Sequence, residues 1–600
     1  MKKLNRLLGA ALAASMLLSM TACKKNKNTP TTTTTQATTT TQATTETTEA
    51  TTSETKDNTS DASETSNSTD PKETASSSDN NDQLTLNNLK AGVPAEGCKI
   101  NFKEEEKRYH YNMDLTLDTE KNTIGGHVEF TFYNDTDQDW DKLCLRDYPS
   151  LFKDAKTAGM DGAIVTNGGI TKIENITDGR KNATLDMQRD EDVSVVWLQL
   201  ADKLAPGEKM TLSYDFEAKI PTVADRFGVD NGVYNVTNFY PILAEYTKDG
   251  WSHEKYYNCG ECFYSEISDY DVKITLPSDM VLLTTGVENG EEIQSDKKTQ
   301  NIHAECVRDF VFSTSKDFKL VEGDYNDTHI RVAYLEEDFP KENKQLADEC
   351  LRGAVDSLRI FGSAFGEYPY KDLEVIVAPI AAGGMEYPNL IIITKNVYED
   401  MVRDADYFKS YCEHTADEIV SHEIGHQWFM GIIGSNSGMQ PWLDESFASF
   451  TEYVYSEGLG KTKYFEPIMV VDDMSDDDSS DNNNSFYVDR QNYNETLIKN
   501  FEKNGLLPIN RSYYSYPDEM TYIFSVYDTG KTCLTNIAKE LGNESFYGII
   551  REYIQRNAFT NADQMDFFNV LYELAGTDNE NLNKIMSAYF DENGQPSKAA

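Results

Sequence analysis

Histidine and basic residues are both scarce in this sequence. The 600 residues include only 8 histidines, and 55 lysines and arginines stand against 101 aspartates and glutamates. The resulting formal net charge of −46 repels phosphates, which argues against a nucleic-acid partner. The scarcity of histidine also makes a pair of histidines at a metal-binding spacing informative, because chance seldom produces one.

Long hydrophobic runs are missing beyond the N-terminus. After residue 22, no apolar stretch approaches the roughly twenty residues that a membrane-spanning helix needs. Residues 1–22 combine basic residues with an apolar run from Leu7 to Met20, which is typical of a secretory signal peptide. Small residues then precede Cys23, and this resembles a bacterial lipobox. The resemblance implies that Cys23 is lipidated and anchors the chain on the extracellular face of the cell membrane. Ordinary cleavage nearby, with Cys23 incidental, is the alternative.

Aromatic residues are missing from residues 24–82, which consist almost entirely of Thr, Ser, Asn, Ala, Glu, Asp and Lys. Such a segment cannot bury enough apolar surface to offset the entropy that it would lose on ordering. We therefore expect residues 23–95 to form a disordered, Thr/Ser-rich stalk that holds a folded part away from the membrane.

The rest of the chain divides into two regions by its hydrophobic periodicity. Between residues 96 and 322, segments such as YHYNMDLTLDT and YDVKITLP alternate apolar and polar residues, which predicts a largely antiparallel β domain. From 323 to 600 the pattern is mainly helical, with short buried strands predicted at 373–378 and 390–394. An acidic segment at 472–484 is expected to be a surface loop, and it lacks the residue spacing of an EF-hand calcium site.

The clearest chemical motif is His422-Glu423-x-x-His426. On a helix, residues four apart share a face, so the two imidazoles can bind one zinc ion while Glu423 reaches a metal-bound water. We expect the Gly-Ser-Asn-Ser-Gly run at 434–438 to end this helix. A catalytic zinc also needs a third protein ligand, and Glu445 follows His426 after eighteen intervening residues. The motif therefore predicts one zinc ion per chain, held by His422, His426 and Glu445.

A second motif lies between the two predicted strands of the helical region. Gly383, Gly384, Met385 and Glu386 end in a carboxylate at a predicted sheet edge. Paired glycines let another backbone come close, so a peptide could add as a strand there and place its ammonium group against Glu386. Taken alone, this pattern is more often just a turn.

Together these motifs resemble the aminopeptidase N-like family of zinc gluzincins. In that family a G-x-M-E-N motif lines the substrate cleft, so the resemblance implies substrate binding by Gly383, Gly384 and Met385 and binding of the free α-amino group by Glu386. Tyr387 occupies the position of the family's Asn. The family's additional amine-binding residue in the β domain has no position in this sequence that can be matched.

The segment Val526-Tyr527-Asp528-Thr529-Gly530 resembles the family's catalytic tyrosine segment. The resemblance implies that the Tyr527 hydroxyl donates a hydrogen bond to the oxyanion, although ordinary packing of one of the chain's 34 tyrosines is the alternative. It also implies that the antiparallel β domain is followed by a thermolysin-like, mainly helical zinc peptidase domain.

These patterns predict a zinc aminopeptidase at the cell surface, acting on peptides with a free N-terminus. Glu423 would take a proton from the zinc-bound water and pass it to the leaving amine. Two alternatives remain. One is a gluzincin endopeptidase, in which Glu386 does not bind a substrate amino group. The other is a catalytically silent surface binding protein.

Overall fold

The folded chain has a strand-rich region followed by a mainly helical region, the order that the hydrophobic periodicity predicts. The computed structural model describes residues 98–160, 164–257, 261–336, 340–395, 415–460, 467–470, 486–489, 507–517 and 519–591. The predicted signal peptide (1–22), Cys23, the stalk (23–95) and the acidic segment 472–484 lie outside the described residues. All of the described residues belong to one compact unit of the chain.

The first region consists almost entirely of strands. They are β1 Tyr109–Asp118, β2 Thr123–Tyr133, β3 Trp140–Arg146, β4 Lys172–Asp178, β5 Ala183–Thr184, β6 Asp186–Arg189, β7 Val195–Leu204, β8 Lys209–Lys219, β9 Phe227–Asp230, β10 Val233–Val236, β11 Ile242–Leu243, β12 Tyr246–Thr247, β13 Gly250–Trp251, β14 Ser268–Pro277, β15 Val281–Thr284, β16 Val287–Gln294, β17 Lys297–Val307 and β18 Phe312–Ser315. They build an eight-stranded sheet in the order β16-β17-β14-β1-β2-β8-β4-β5, two four-stranded sheets, and a two-stranded sheet of β12 and β13.

Alternation along β1 shows why these segments form strands. Its odd-numbered side chains are buried and most of its even-numbered ones are exposed, as expected for a sheet with one wet face. Within the core the Tyr111 ring stacks on Phe130 at 3.9 Å and on Tyr270 at 4.8 Å between centroids. The predicted N-terminal β-rich region is therefore confirmed. Its large sheet is antiparallel except for the β1–β14 pair, which is parallel because a long stretch of chain rather than a tight turn connects the two strands.

The second region begins with a five-stranded sheet. Its strands are β19 Phe318–Tyr325, β20 Thr328–Leu335, β21 Asp372–Ala378, β22 Gly384–Tyr387 and β23 Leu390–Thr394, in the order β19-β20-β21-β23-β22. The two strands predicted at 373–378 and 390–394 are thus present. β19 spans the predicted domain boundary at 322/323 and pairs with β20, so this strand belongs to the sheet of the second region.

Helices form most of the remainder of the second region. They are α1 Pro340–Phe365, α2 Thr415–Gly425, α3 Glu445–Gly458, α4 Glu519–Ile523, α5 Gly530–Leu541, α6 Asn543–Asn557, α7 Gln564–Ala575 and α8 Glu580–Tyr589. Short strands accompany them: β24 Ile433–Gly434, β25 Pro467–Val470, β26 Phe486–Asp489 and β27 Thr560–Asn561. Helices α2 and α3 pack against each other and against α1. Among the described helices, none combines the length and apolar character needed to cross a membrane.

The helix of the HExxH motif ends earlier than expected. α2 stops at Gly425, not at the 434–438 run, so that prediction was wrong. The chain then turns tightly, because the Gly431 N–H donates to the His426 carbonyl at 2.9 Å and Met430 has a positive φ of 114°. This turn redirects the chain so that β24 can pair with β27.

One buried arginine fixes this turn against the β region. The guanidinium of Arg308, which follows β17, donates to the Gly431 carbonyl at 3.1 Å and to the Thr560 carbonyl at 2.7 Å. It also donates to the Ser265 carbonyl at 2.9 Å. Because these bonds are buried and charge-assisted, they hold the two regions in register beside the HExxH helix.

Candidate metal centre and substrate cleft

Three side chains from α2, α3 and the turn after α2 converge on one point. The His422 Nε2 and His426 Nε2 atoms lie 3.2 Å apart, and each lies 3.5 Å from Oε2 of Glu445. Zinc takes ligands at roughly 2.0–2.2 Å, which puts tetrahedral ligands about 3.3–3.6 Å apart. The three atoms therefore have the spacing of three corners of one tetrahedral zinc site.

Buried oxygen atoms give an independent test of this fit. Oε2 of Glu445, Oε2 of Glu423 and Oε1 of Glu386 are buried and have no hydrogen-bond partner among the described residues. Each of these residues is at most 6% exposed. Because unpaired buried carboxylate oxygens are costly, this cluster requires positive charge from a bound ion or ligand. Two imidazoles with a carboxylate are a donor set that zinc takes, so the residues fit the metal.

Further carboxylates orient the two histidines. The Nδ1 atom of His426 lies 2.7 Å from Oδ1 of Asp444, whose other oxygen accepts from the Ser437 hydroxyl at 2.8 Å. The Nδ1 atom of His422 lies 3.0 Å from Oε1 of Glu452. These contacts leave both Nε2 atoms turned toward Glu445. Sequence reasoning missed Asp444 and Glu452, although the first adjoins Glu445 and the second follows it by two helical turns.

Proton affinities at the histidines reflect the same acidic surroundings. Burial alone would lower the pKa of His422, but its pairing with the carboxylates of Glu445 and Glu452 outweighs burial and raises the pKa to about 9. The same opposition raises the pKa of His426 well above its usual range, with Glu386 and Asp444 as the main causes. In the metal-free protein, protons therefore occupy positions that a metal cation can take.

Glu423 is 6% exposed and lies beside the edge strand β22. A Cβ atom placed on Gly384 would lie 2.1 Å from Oε1 of Glu423, so only glycine permits this approach. Burial raises the pKa of Glu423 to about 7 despite the opposing effect of His422 and His426. A carboxylate with that pKa can accept and return a proton near neutral pH.

Glu386 reaches the same cluster from β22, where it pairs with Ile391 of β23. Its carboxylate, Glu423 and His426 offer ligand atoms within 4.8 Å of one another. Burial, reinforced by the neighbouring carboxylate of Glu261, raises the pKa of Glu386 well above its usual range. Tyr387, at the family's Asn position, turns away from the cluster, and its hydroxyl lies 2.8 Å from Oγ1 of Thr237 in the β region.

Glu261 is the main residue that sequence reasoning missed. It is 4% exposed, comes from the β region and lines the same cavity as Glu386. The buried Arg226 guanidinium donates to Oε1 of Glu261 at 2.8 Å and opposes the effect of burial, which together leave the pKa of Glu261 at about 7. The available signal was weak: a lone carboxylate in the run Cys-Gly-Glu-Cys-Phe-Tyr at 259–264, which has no other charged residue.

Tyr527 lies next to His422. It sits in a π-helical turn, Phe524–Thr529, between α4 and α5, and such turns are frequent at functional sites. Its ring is nearly parallel to that of His422, with 5.9 Å between the centroids. The structure thus places the Tyr527 ring beside His422, one of the three converging side chains.

Comparisons with known proteins agree with this geometry. Residues 351–589 match the Peptidase family M1 domain. The chain is similar to Aminopeptidase 2 of Candida albicans, with 26% identity over 249 residues, which is 40% of this chain and 24% of that protein. It is also similar to the Tricorn protease-interacting factor F2 of Thermoplasma volcanium, with 26% identity over 283 residues, which is 46% of this chain and 32% of that protein. The chain thus spans only about a quarter to a third of the length of these relatives.

A solved structure extends the likeness to the fold of both regions. The M1 zinc metallopeptidase of Deinococcus radiodurans superposes with a TM-score of 0.52 at 14% identity, covering 81% of this chain and 94% of that one. The fold is thus similar to that of an M1 zinc metallopeptidase, and the three converging side chains form a donor set that fits one zinc ion. Residues 351–589 match the domain of peptidase family M1, and the chain is similar to aminopeptidases, in agreement with the aminopeptidase N-like gluzincin resemblance of its motifs. The family and the cofactor predicted from the sequence are confirmed.

Proposed function

We propose that this protein is a zinc-dependent aminopeptidase that hydrolyses the N-terminal peptide bond of peptides at the cell surface. One observation carries the proposal: ligand atoms of Glu386, Glu423 and His426 lie within 4.8 Å of one another. A peptide whose ammonium group pairs with Glu386 has room for only one residue between that anchor and the metal ligands. The first peptide bond then lies at the reacting position.

Each side chain has a separate role in this proposal. His422, His426 and Glu445 hold the zinc, which polarises the scissile carbonyl and acidifies the attacking water when bound. Glu423 accepts a proton from the water and returns it to the leaving amine.

The substrate is held by groups on both sides of the cleft. Glu386 and Glu261 accept hydrogen bonds from its ammonium group, while Gly383, Gly384 and Met385 line the cleft beside it. The Tyr527 hydroxyl donates to the carbonyl oxygen as negative charge develops there. Glu261 thereby supplies the β-region anchor that the sequence left unassigned.

The finer fold and the location are part of the same proposal. We take the second region to be a thermolysin-like catalytic domain, which the packing of α2 against α3 around the three convergent ligands supports. We take the chain to be lipid-anchored through Cys23 on the extracellular face of a bacterial membrane, which the basic and apolar start of the sequence supports.

The test is hydrolysis of aminoacyl fluorogenic amides by the full chain, with and without a chelator, beside the same peptides carrying an acetylated N-terminus. Chelator-sensitive activity on free amines alone, lost in a Glu386→Ala variant that keeps its zinc, is the expected result. Cleavage of acetylated peptides would instead indicate an endopeptidase. If the chain binds zinc but hydrolyses none of the substrates, and a Glu423→Gln variant has the same zinc content and the same lack of activity, the protein is a binding protein.

A further inference from the structure

Lys531 is buried although its side chain carries a charge. It is 8% exposed, and among the described lysines only Lys298, at 9%, is also buried. Lysine is almost never buried without a partner, because removing its charge from water costs free energy. The partner here is Glu452, whose Oε2 atom contacts the Lys531 ammonium group. The burial of Lys531 is therefore explained by this carboxylate.

The other oxygen of Glu452 faces the metal ligands. Oε1 lies 3.0 Å from Nδ1 of His422, while Nε2 of the same imidazole lies 3.5 Å from Oε2 of Glu445. The side chains of His422 and Glu452 are only 13% and 15% exposed. Glu452 thus bridges Lys531 and His422, with one carboxylate oxygen for each.

The helical segment that carries Lys531 is fixed against α3, which carries Glu452. The Ser446 hydroxyl, in the first turn of α3, donates to the Val526 carbonyl at 2.6 Å. A Cβ atom on Gly530 would lie 2.0 Å from Oγ of Ser446, so a larger residue there would force the two helices apart. The Lys531 side chain therefore starts from a fixed backbone and reaches Glu452 in a defined direction.

The same segment also touches His422 directly. Tyr527 lies four residues before Lys531, about one helical turn, so both side chains project toward the same side of the segment. The Tyr527 ring is nearly parallel to that of His422, with 5.9 Å between the centroids. One face of His422 is thus bounded by Tyr527, and its Nδ1 atom is bounded by the carboxylate that Lys531 holds.

The orientation of His422 depends on this carboxylate. A carboxylate that accepts a hydrogen bond from a metal-binding imidazole fixes the ring and makes it a better ligand. Without the Lys531 ammonium group, the mostly buried Glu452 carboxylate would lose a compensating cation, which is unfavourable. Because its side chain is still 15% exposed, it can then turn toward water and away from His422.

We propose that Lys531 is a positioning residue of the metal centre: its ammonium group holds the Glu452 carboxylate against His422 and thereby strengthens zinc binding. The inference concerns the zinc site alone and does not depend on the proposed aminopeptidase function.

The test is the zinc dissociation constant of the full chain, measured by competition with a chelator at one fixed pH, together with thermal unfolding of the metal-free chain. Lys531→Met removes the cation and keeps a long side chain, whereas Lys531→Arg keeps a cation. Lys298→Met is the matched control, because Lys298 is the other buried lysine and is paired with Glu291 at 3.4 Å on β17.

We expect Lys531→Met to weaken zinc binding about 10- to 100-fold, as loss of an outer partner of a metal ligand does. Lys531→Arg should recover most of that loss. Lys298→Met should leave the zinc affinity at the wild-type value, even where its unfolding temperature falls. If Lys531→Met unfolds at a lower temperature but binds zinc as tightly as the wild type, the ion pair serves only folding and the inference is overturned.

A double variant tests whether Lys531 acts through Glu452. Glu452→Met should weaken zinc binding to a similar extent, and Lys531→Met/Glu452→Met should bind zinc no more weakly than Glu452→Met alone. Replacing a buried ion pair by two apolar side chains is often neutral for stability, so this comparison stands even where Lys531→Met alone does not fold. A further tenfold loss in the double variant would show another route and would overturn the inference.

These measurements keep the inference separate from the proposed function, because none of them requires hydrolysis. A chain that cleaves no free-amine substrate refutes the proposed function. The same chain still supports the role of Lys531 where its zinc affinity falls in Lys531→Met and returns in Lys531→Arg.

Discussion

Replacing Gly384 with alanine tests how the general base is placed. The new Cβ atom would lie 2.1 Å from Oε1 and 2.5 Å from Cδ of Glu423. Ordinary van der Waals contact begins at 3.4 Å, so the carboxylate must retreat by about 1.3 Å, the difference between 3.4 and 2.1 Å. The atoms that the new Cβ would meet are at the end of a flexible side chain, so we expect little loss of folding stability.

Catalysis, in contrast, depends strongly on that displacement. A misplacement of about 1 Å in a reacting group can cost about a hundredfold in rate, or about 3 kcal/mol of transition-state stabilisation. We therefore expect Gly384→Ala to lower kcat about a hundredfold. One zinc per chain should remain, because His422, His426 and Glu445 do not move.

The assay is steady-state hydrolysis of an aminoacyl amide, accompanied by zinc analysis and thermal unfolding. Gly383→Ala is the matched control, since a Cβ atom there meets nothing within 4 Å. Activity of Gly384→Ala within a few-fold of wild type, with zinc retained, would refute the idea that Glu423 works from its observed position. Equal losses of activity in Gly384→Ala and Gly383→Ala would indicate that the substitutions disturb the edge strand β22, and not the position of Glu423.

Three further outcomes are expected from the site. Tyr527→Phe should lower kcat about a hundredfold with KM nearly unchanged, as loss of an oxyanion donor does, and equal effects on both constants would contradict that role. Arg226→Leu should raise KM for free-amine substrates by at least about tenfold while zinc content stays constant. The reason is that Glu261 loses the cation that opposes its protonation. An unaltered KM would show that Glu261 does not bind the substrate ammonium group. Since the pKa of His422 is raised to about 9, zinc must displace its proton, so zinc affinity measured by calorimetry should rise at least about tenfold per pH unit below about pH 9, and the part due to His422 should level off above it. The same raised pKa stabilises the metal-free fold below about pH 6.5, and that contribution is lost as the pH rises through 9.

The metal ligands could be predicted from sequence because they depend on local geometry. The last turn of α2, continued by the hydrogen bond from the His426 N–H to the His422 carbonyl, fixes the spacing of the two histidines, and Glu445 starts the next helix against it. Alternation in β1 likewise predicted its buried face before any tertiary contact was known. In each case a short period in the sequence maps directly onto one face of one element.

Contacts between distant segments could not be read in this way. Glu261, which is paired with Arg226, lines the same cavity as Glu386 only because the β region packs beside β22, and their sequence positions carry no common period. The early end of α2 was also missed. Its cause is the backbone of Met430 and the bonds of Arg308, and the second of these comes from more than a hundred residues earlier in the chain.

The carboxylates of the site link metal binding to amine binding. Glu386 offers a ligand atom within 4.8 Å of those of Asp444 and Glu445, and burial together with Glu261 raises its pKa well above its usual range, which favours the protonated form in the metal-free protein. A protonated carboxyl binds an ammonium group poorly. A divalent cation at Glu445 lowers that pKa and restores the anion.

Leucine should therefore bind the zinc-loaded chain at least about tenfold more tightly than the metal-free chain at pH 7, and by linkage leucine should tighten zinc binding by the same factor. Calorimetric titrations in both orders measure the two factors. The Glu386→Gln variant is the control, because its neutral amide has no proton to lose and its coupling should fall to near unity. Equal leucine affinity with and without zinc in the wild type would show that Glu386 is already ionised in the metal-free site and would refute this coupling.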